Sequence, residues 1–245
     1  MEELEELWNE VVRQLSERDY AENWVHGIPH VKRVWGNLKF LLKSCSLSKN
    51  MVRCLKVAVL VHDAGRGLPG DHAENSAEIF GGMEMNSLTK EESENIFFAV
   101  KNHSKGLAGV GVDKAEGNKD VLLGLLVLLD HMDALGRVDF YRTIQWSKDT
   151  GRNLDLLSRL NPQELRKFIG ENYLSQEIEE MNLKEESILT HLIFNYLVAD
   201  QIVTPVSHLL SDEFLLEINH KKAELLDEVN KMIDLMEENQ IKTLI

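Results

Sequence analysis

Apolar residues recur at helical spacing along almost the whole chain, and this periodicity is the strongest constraint on its fold. Leu4, Leu7 and Val11 follow the i, i+3, i+7 rule of an amphipathic helix near the start. Two longer stripes cover residues 189–197 and 214–236 in the last third. No segment alternates apolar and polar residues as a half-buried strand does. The sequence therefore predicts an all-α fold.

Start and stop signals divide this pattern into separate helices. Gly27 breaks the chain, and Pro29 is acceptable in the first turn of a helix expected over about residues 29–43. Ser48 is placed to cap the next helix, which we expect to end near His62.

The middle of the chain carries further boundaries of this kind. The stretch AGRGLPGD at 64–71 predicts a loop, and a short helix is expected over 72–80. TKEE at 89–92 has the pattern of a capping box that opens a helix. We expect a mobile, glycine-rich loop at 104–119, followed by a helix over 120–133 that is apolar all round and therefore central.

The length of 245 residues suits one large domain, or a smaller domain with a helical extension. We expect residues 1–147 to form the core that carries the function and residues 148–245 to form an extension packed on it. Asn161 and Pro162 predict a helix start within the extension. Asp200 lies on an apolar stripe and is interpreted as a buried hydrogen-bond partner. A homodimer through the C-terminal helices is the alternative to packing on the core.

Charge and apolar length restrict the partners and the compartment. The net charge of −14 excludes a general basic surface for nucleic acid or for a membrane. The longest apolar stretch, 121–129, is shorter than the roughly 20 residues of a membrane span. Two cysteines, Cys45 and Cys54, form no disulfide framework, and the acidic N-terminus does not resemble a signal peptide. We expect a soluble, cytoplasmic protein with no membrane partner.

Four polar residues stand at helix ends beside apolar runs. His30 opens a helix, His62 and Asp63 close one, and Asp130 ends the most apolar helix. A carboxylate there is poorly placed in the helix dipole, and its burial is unfavourable without a partner. One divalent cation bound by all four side chains would compensate these costs together. Imidazole and carboxylate ligands suit Mn, Fe, Ni, Co or Zn.

Each residue also has an ordinary structural interpretation. A histidine at a helix start is more often a hydrogen-bonded surface residue than a ligand, which applies to His30. The dipeptide of His62 and Asp63 occurs often by chance. Asp130 can cap its helix or pair with Arg137. The combination of the four positions in an all-α chain is what favours a metal site.

Several motifs together resemble the HD-domain superfamily of metal-dependent phosphohydrolases. The resemblance covers about residues 20–147. It rests on five stretches: HVKRV at 30–34, AVLVHDAGR at 58–66, HAENSAEIF at 72–80, AVKNHS at 99–104 and LLDHMDALGRVDFYR at 128–142. The last is similar to the D-R-L-D-A-L-G stretch of a subgroup that often hydrolyses nucleotides.

This resemblance implies an HD-type helical bundle and a site. His30, His62, Asp63 and Asp130 match the four metal ligands of the family. The cofactor implied is a divalent transition metal (Mn, Ni, Co, Fe or Zn, with Mg an alternative), sometimes as two ions. The activity implied is hydrolysis of a phosphoester or phosphoanhydride by a metal-activated water, with a nucleotide or another small phosphorylated metabolite as substrate.

Asp63 is a candidate for catalysis as well as for metal binding, and other residues near these motifs are further catalytic candidates. Arg66, on the glycine-rich loop, is the first candidate for a phosphate contact. His72 and His103 would bind a second metal ion or face the phosphate. Glu74 is a candidate general acid or base, and otherwise an exposed helix carboxylate. Asp133 would not bind the metal itself but would fix the orientation of a metal-ligating side chain.

Two alternatives to hydrolysis stay open. One is a regulatory module that binds metal or nucleotide without turnover. The other is a di-iron oxygenase of the HD fold, which would need both His72 and His103 as ligands. Leu128 and His131 replace an Asp and an Arg that many members of the subgroup carry, so the substrate is not assigned.

Overall fold

The computed structural model describes residues 2–136, 139, 142–144, 147, 160–170 and 187–237. These residues form α-helices and short 3-10 helices, with no strand among them, so the predicted all-α class is confirmed. The chain divides into two compact units: Met1–Met132 with Ile202–Leu215, and Asp133–Gln201 with Leu216–Ile245. The predicted domain boundary after residue 147 borders on residues outside the description and stays a prediction.

The first unit contains every predicted metal ligand, either within its helices or directly after one of them. These helices are α1 (Glu2–Ser16), α2 (Ile28–Ser44), α3 (Lys49–Val61), α4 (His72–Gly81), α5 (Lys90–Asn102), α6 (Gly106–Gly109) and α7 (Asn118–His131), with 3-10 helix Thr204–Leu209. Helix α3 packs against α1, α2, α4, α5 and α7 and is the centre of this unit.

The helix starts of the first unit follow the capping residues of the sequence. The Ser48 hydroxyl accepts a hydrogen bond from Met51 N at the start of α3. Thr89 and Glu92 form the predicted capping box of α5, each side chain accepting from the other's backbone N–H. These bonds satisfy backbone donors that a helix start leaves without partners.

Helix α7 is apolar on all sides and is buried, as its sequence predicts. The absence of a side chain at Gly124 permits close packing, because a Cβ atom there would lie 2.5 Å from Val206 Cγ1 and 2.8 Å from Leu107 Cδ1. Leu107 belongs to α6, inside the stretch predicted as a mobile loop. That prediction missed a helical turn and the hydrogen bond from Ala115 N to Pro205 O that ties the stretch down.

The second unit contains α8 (Pro162–Gly170) and most of α9 (Ile188–Val203) and α10 (Asp212–Glu237). Asn161 caps α8 as predicted, with its side chain accepting from Glu164 N. The interpretation of Asp200 as a buried residue is wrong: its side chain is exposed and pairs with Lys222 at 2.6 Å. Tyr196, one helical turn earlier, also packs under the Lys222 ammonium group.

None of the helices in the described part of the chain combines the length and the apolar character needed to cross a membrane.

Candidate metal centre

The four predicted ligands come from three helices of the first unit. His30 lies in the first turn of α2, and Asp130 lies in the last turn of α7. His62 and Asp63 follow directly after Val61, the last residue of α3. The helix-end positions expected from the sequence therefore converge in one place.

Their ligand atoms lie close together. His30 Nε2 is 3.1 Å from His62 Nε2, 3.1 Å from Asp130 Oδ1 and 3.6 Å from Asp63 Oδ2. His62 Nε2 lies 3.9 Å from each of the two carboxylates. His30, His62 and Asp130 offer ligand atoms that all lie within 4.8 Å of one another, so this group can hold a metal ion.

Backbone carbonyls fix the tautomers of two imidazoles in the cluster. His62 Nδ1 donates to Val59 O at 2.9 Å, and His103 Nδ1 donates to Val100 O at 2.7 Å. An Nδ1–H bonded in this way leaves the Nε2 lone pair for a ligand. Both rings therefore direct Nε2 to the interior of the cluster.

The ionisation states also suit a cation. Burial lowers the pKa of His62, so its imidazole is neutral at neutral pH. Burial would raise the pKa of Asp63, but Arg66 and His62 beside it hold the value well below its usual range. The same holds for Asp130, where His30 outweighs desolvation. Neutral imidazoles and ionised carboxylates are the forms that bind metal.

A second group of ligand atoms faces the other oxygen of Asp63. His72 Nε2 lies 3.5 Å and His103 Nε2 lies 3.6 Å from Asp63 Oδ1, and the three residues form a group that can hold an ion. Burial lowers the pKa of His72 to about 4. Burial would also lower the pKa of His103, but the Asp63 carboxylate raises it above the ordinary value.

Two observations test whether a cation fits this cluster. His72 Nε2 is buried and has no hydrogen-bond partner, which is unfavourable for a polar atom. His30 and His62 turn their Nε2 atoms toward each other, although His62 already uses its Nδ1–H on a backbone carbonyl. A divalent ion in each of the two groups would bind these nitrogens, so the residues present fit a metal.

The remaining predicted site residues occupy different surroundings. Arg66 Nε donates to Asp63 Oδ1 at 2.9 Å, so Arg66 belongs to the cluster. Glu74 is in none of the three candidate metal groups among the described residues, and its half-exposed carboxylate lies 3.4 Å from Lys101 Nζ. Asp133, in the second unit, lies 3.7 Å from Arg142 Nε. Arg137 lies outside the described residues.

His26 is a member of the cluster that the sequence interpretation missed. Its Nδ1 lies 3.1 Å from Asp63 Oδ2, and with His30 and Asp63 it forms a third group that can hold an ion. The Asn23 side chain accepts from the His26 backbone N–H and fixes the turn that carries it. The signal in the sequence is the spacing of His26 and His30, four residues apart across the start of α2.

Comparison with known proteins gives a likeness in fold alone. No family model and no curated protein matches the chain. A crystal structure of a structural-genomics target from Lactobacillus plantarum superposes with a TM-score of 0.60 at 14% sequence identity. The match covers 94% of this chain and 94% of that one. At this identity the similarity extends to the fold and carries no assignment of activity.

Proposed function

We propose that this protein is a metal-dependent phosphohydrolase of the HD-domain superfamily. The observation that carries the proposal is the convergence of His30, His62, Asp63 and Asp130 from three helix ends, with the His62 tautomer fixed for ligation. The substrate proposed is a nucleotide or another small phosphorylated metabolite, cleaved at a phosphoester or phosphoanhydride bond.

The ligand chemistry restricts the ion. Imidazole nitrogen together with carboxylate oxygen favours Mn, Fe, Co, Ni or Zn, and Mg is the alternative that phosphoryl transfer most often employs. A bound ion of this kind supplies an activated water and polarises a phosphoryl oxygen. His30, His62, Asp63 and Asp130 would hold it.

The other side chains have roles that follow from their positions. Arg66 is the proposed phosphate contact: its side chain is 22% exposed, and Nε is the atom bound to Asp63. A guanidinium can bind a phosphate with its remaining N–H groups. Glu74 stays a weaker candidate for proton transfer, because its carboxylate is half-exposed beside Lys101.

The test combines metal content with activity. Protein purified without chelator should contain close to one divalent transition metal ion per chain. It should also hydrolyse at least one member of a panel of chromogenic phosphodiesters and nucleoside triphosphates supplied with Mn, Ni, Co or Mg. Asp63→Ala should lose both properties, whereas His220→Ala, at an exposed histidine outside the cluster, should keep both. Metal binding without turnover on any substrate would favour the non-catalytic regulatory module.

A second candidate, a di-iron oxygenase, is favoured by one observation. His72 and His103 both approach Asp63 Oδ1, so six side chains are available for two ions. Anaerobic reconstitution with Fe²⁺ followed by measurement of oxygen consumption separates this candidate from hydrolysis. Two iron atoms per chain with oxygen uptake and no phosphate release would replace the phosphohydrolase proposal.

A further inference from the structure

The two carboxylate oxygens of Asp63 face different partners. Oδ2 lies toward His26 and His30, at 3.1 and 3.6 Å. Oδ1 lies toward His72 and His103, at 3.5 and 3.6 Å. With its side chain only 1% exposed, Asp63 separates two candidate ion positions, one on each side of its carboxylate.

Arg66 already supplies a positive charge to one of these sides. Its Nε donates to Asp63 Oδ1 at 2.9 Å, the oxygen that the His72 and His103 group would use. The backbone holds Arg66 in reach of this oxygen, because Arg66 N donates to Asp63 O at 3.0 Å in a tight turn. Gly67, with φ of +82°, continues this turn in a conformation that favours glycine.

A guanidinium and a divalent ion on the same carboxylate oxygen repel each other strongly in a buried site. The neighbours of the other oxygen, Oδ2, are the imidazoles of His26, His30 and His62.

We propose that Arg66 and a second divalent ion are alternative partners of Asp63 Oδ1, so that Arg66 determines how many ions the chain retains. This inference rests on the metal centre of the proposed function. While Arg66 donates to Oδ1, the first ion binds tightly at His30, His62 and Asp130. The second ion binds weakly at His72 and His103. When a second ion enters, the Arg66 side chain leaves Oδ1 toward solvent, where a phosphate group can meet it.

Titration with Mn²⁺ alone tests the proposal, with free and bound metal measured after equilibrium dialysis. The wild-type chain should bind one ion tightly and a second at least tenfold more weakly. Arg66→Gln removes the charge and should lower the Kd of the second ion at least tenfold, with the Kd of the first changed less. In the two-ion form, spin coupling between the Mn²⁺ ions in electron paramagnetic resonance would report that they share Asp63.

Lys101→Gln is the matched control, since it removes one positive charge two residues before His103 and leaves the Arg66–Asp63 bond in place. Its second Kd should stay within about twofold of the wild-type value. Equal effects of both variants would overturn the proposal in favour of a general field effect. Two equally tight sites in the wild type, or an unchanged second Kd in Arg66→Gln, would also overturn it.

A measurement on the unaltered chain guards against a folding defect in the variant. The Nε–H resonance of Arg66, bonded to Asp63, should persist after one equivalent of Zn²⁺ and shift or vanish with the second. Its persistence with two ions bound would contradict the proposal. None of these readouts uses hydrolysis, so an inactive chain can still show the exchange, and an active phosphohydrolase can fail to show it.

Discussion

His62 and His103 each follow a helix and each donate Nδ1–H to the carbonyl oxygen three residues earlier. The same local geometry is thus used twice to aim an Nε2 atom at the Asp63 carboxylate. The donor N–H and the ligating lone pair lie on opposite sides of the ring, so the backbone determines which nitrogen is available.

The His26 side chain should contribute to the affinity of the centre for its first metal ion. His26→Ala removes a contact to Asp63 Oδ2 and should weaken binding of the first ion by about 10–100-fold, the effect typical of groups that orient a ligand. His30→Ala, which removes a predicted ligand, should weaken binding more. Competition with a fluorescent metal chelator measures both. Equal affinity of His26→Ala and wild type would show that His26 has no part in the centre.

Asp139, in the second unit, should make the free energy of unfolding depend on pH. Burial raises its pKa to about 7, against the opposing effects of Arg142 and of the hydrogen bond that Asn195 Nδ2 donates to it. The folded chain therefore holds a proton that the unfolded chain loses near pH 4. As pH rises from 4 to 7, the free energy of unfolding should fall by up to about 4 kcal/mol through this group.

Asp139→Asn removes that titration and keeps an acceptor for Asn195. Urea denaturation at a series of pH values should show the wild type losing stability relative to the variant between pH 4 and 7. Parallel curves for the two proteins over this range would mean that the Asp139 carboxyl titrates at its ordinary pKa in the fold.

The sequence was informative about residues whose signal is local. His30, His62, Asp63 and Asp130 stand at helix ends that their own segments predict, and the structure brings them together. His26 was missed because its contact with Asp63 joins residues far apart in the chain, and its spacing of four residues from His30 is a weak local signal.

At the scale of the helix, Gly36 and Gly124 form a matched pair of glycines. A Cβ atom at Gly36 would meet nothing within 4 Å, whereas one at Gly124 would lie 2.5 Å from Val206 Cγ1. Gly36→Ala should stabilise the chain by about 0.5–1 kcal/mol, because alanine loses less backbone entropy in a helix. Gly124→Ala should destabilise it by about 1–3 kcal/mol through overpacking.

Urea denaturation at fixed pH measures both effects. The contrast between them is the test, because helix propensity alone predicts a gain at both positions. A gain in Gly124→Ala would mean that α7 and the 3-10 helix Thr204–Leu209 separate without loss.

Helix boundaries show what local sequence can predict. The caps at Ser48, Thr89 and Asn161 involve bonds within three residues, and each was predicted from the sequence. The stretch 104–119 has no clear helical periodicity. Long-range contacts hold it in place, such as the hydrogen bond from Ala115 N to Pro205 O, and local sequence does not predict them. Asp200 lies on an apolar stripe of the sequence, which predicts burial. Its side chain is instead exposed and pairs with Lys222.

At the scale of the whole molecule, metal binding should stabilise the folded chain. A ligand that binds only the folded state at 100 times its Kd adds about 2.7 kcal/mol to the free energy of unfolding. Removal of metal with a chelator should therefore lower the midpoint of thermal unfolding, and Mn²⁺ should restore it. His62→Ala should unfold at the same temperature with and without Mn²⁺. An equal metal response in that variant would place the bound ion elsewhere.

Periodicity along the whole chain predicts the all-α class, and the described residues confirm it. The arrangement of the C-terminal region, either on the core or in a homodimer, stays a prediction, because amphipathic stripes alone do not specify what covers them. Size-exclusion chromatography with light scattering distinguishes one chain from two.

Diffraction from crystals soaked in Mn²⁺, collected at wavelengths where manganese scatters anomalously, would locate the ion relative to the four proposed ligands. We expect an anomalous peak within about 2.0–2.3 Å of His30 Nε2, His62 Nε2 and the carboxylates of Asp63 and Asp130. A fully loaded crystal with no peak among these four side chains, or with its strongest peak on surface carboxylates, would contradict it.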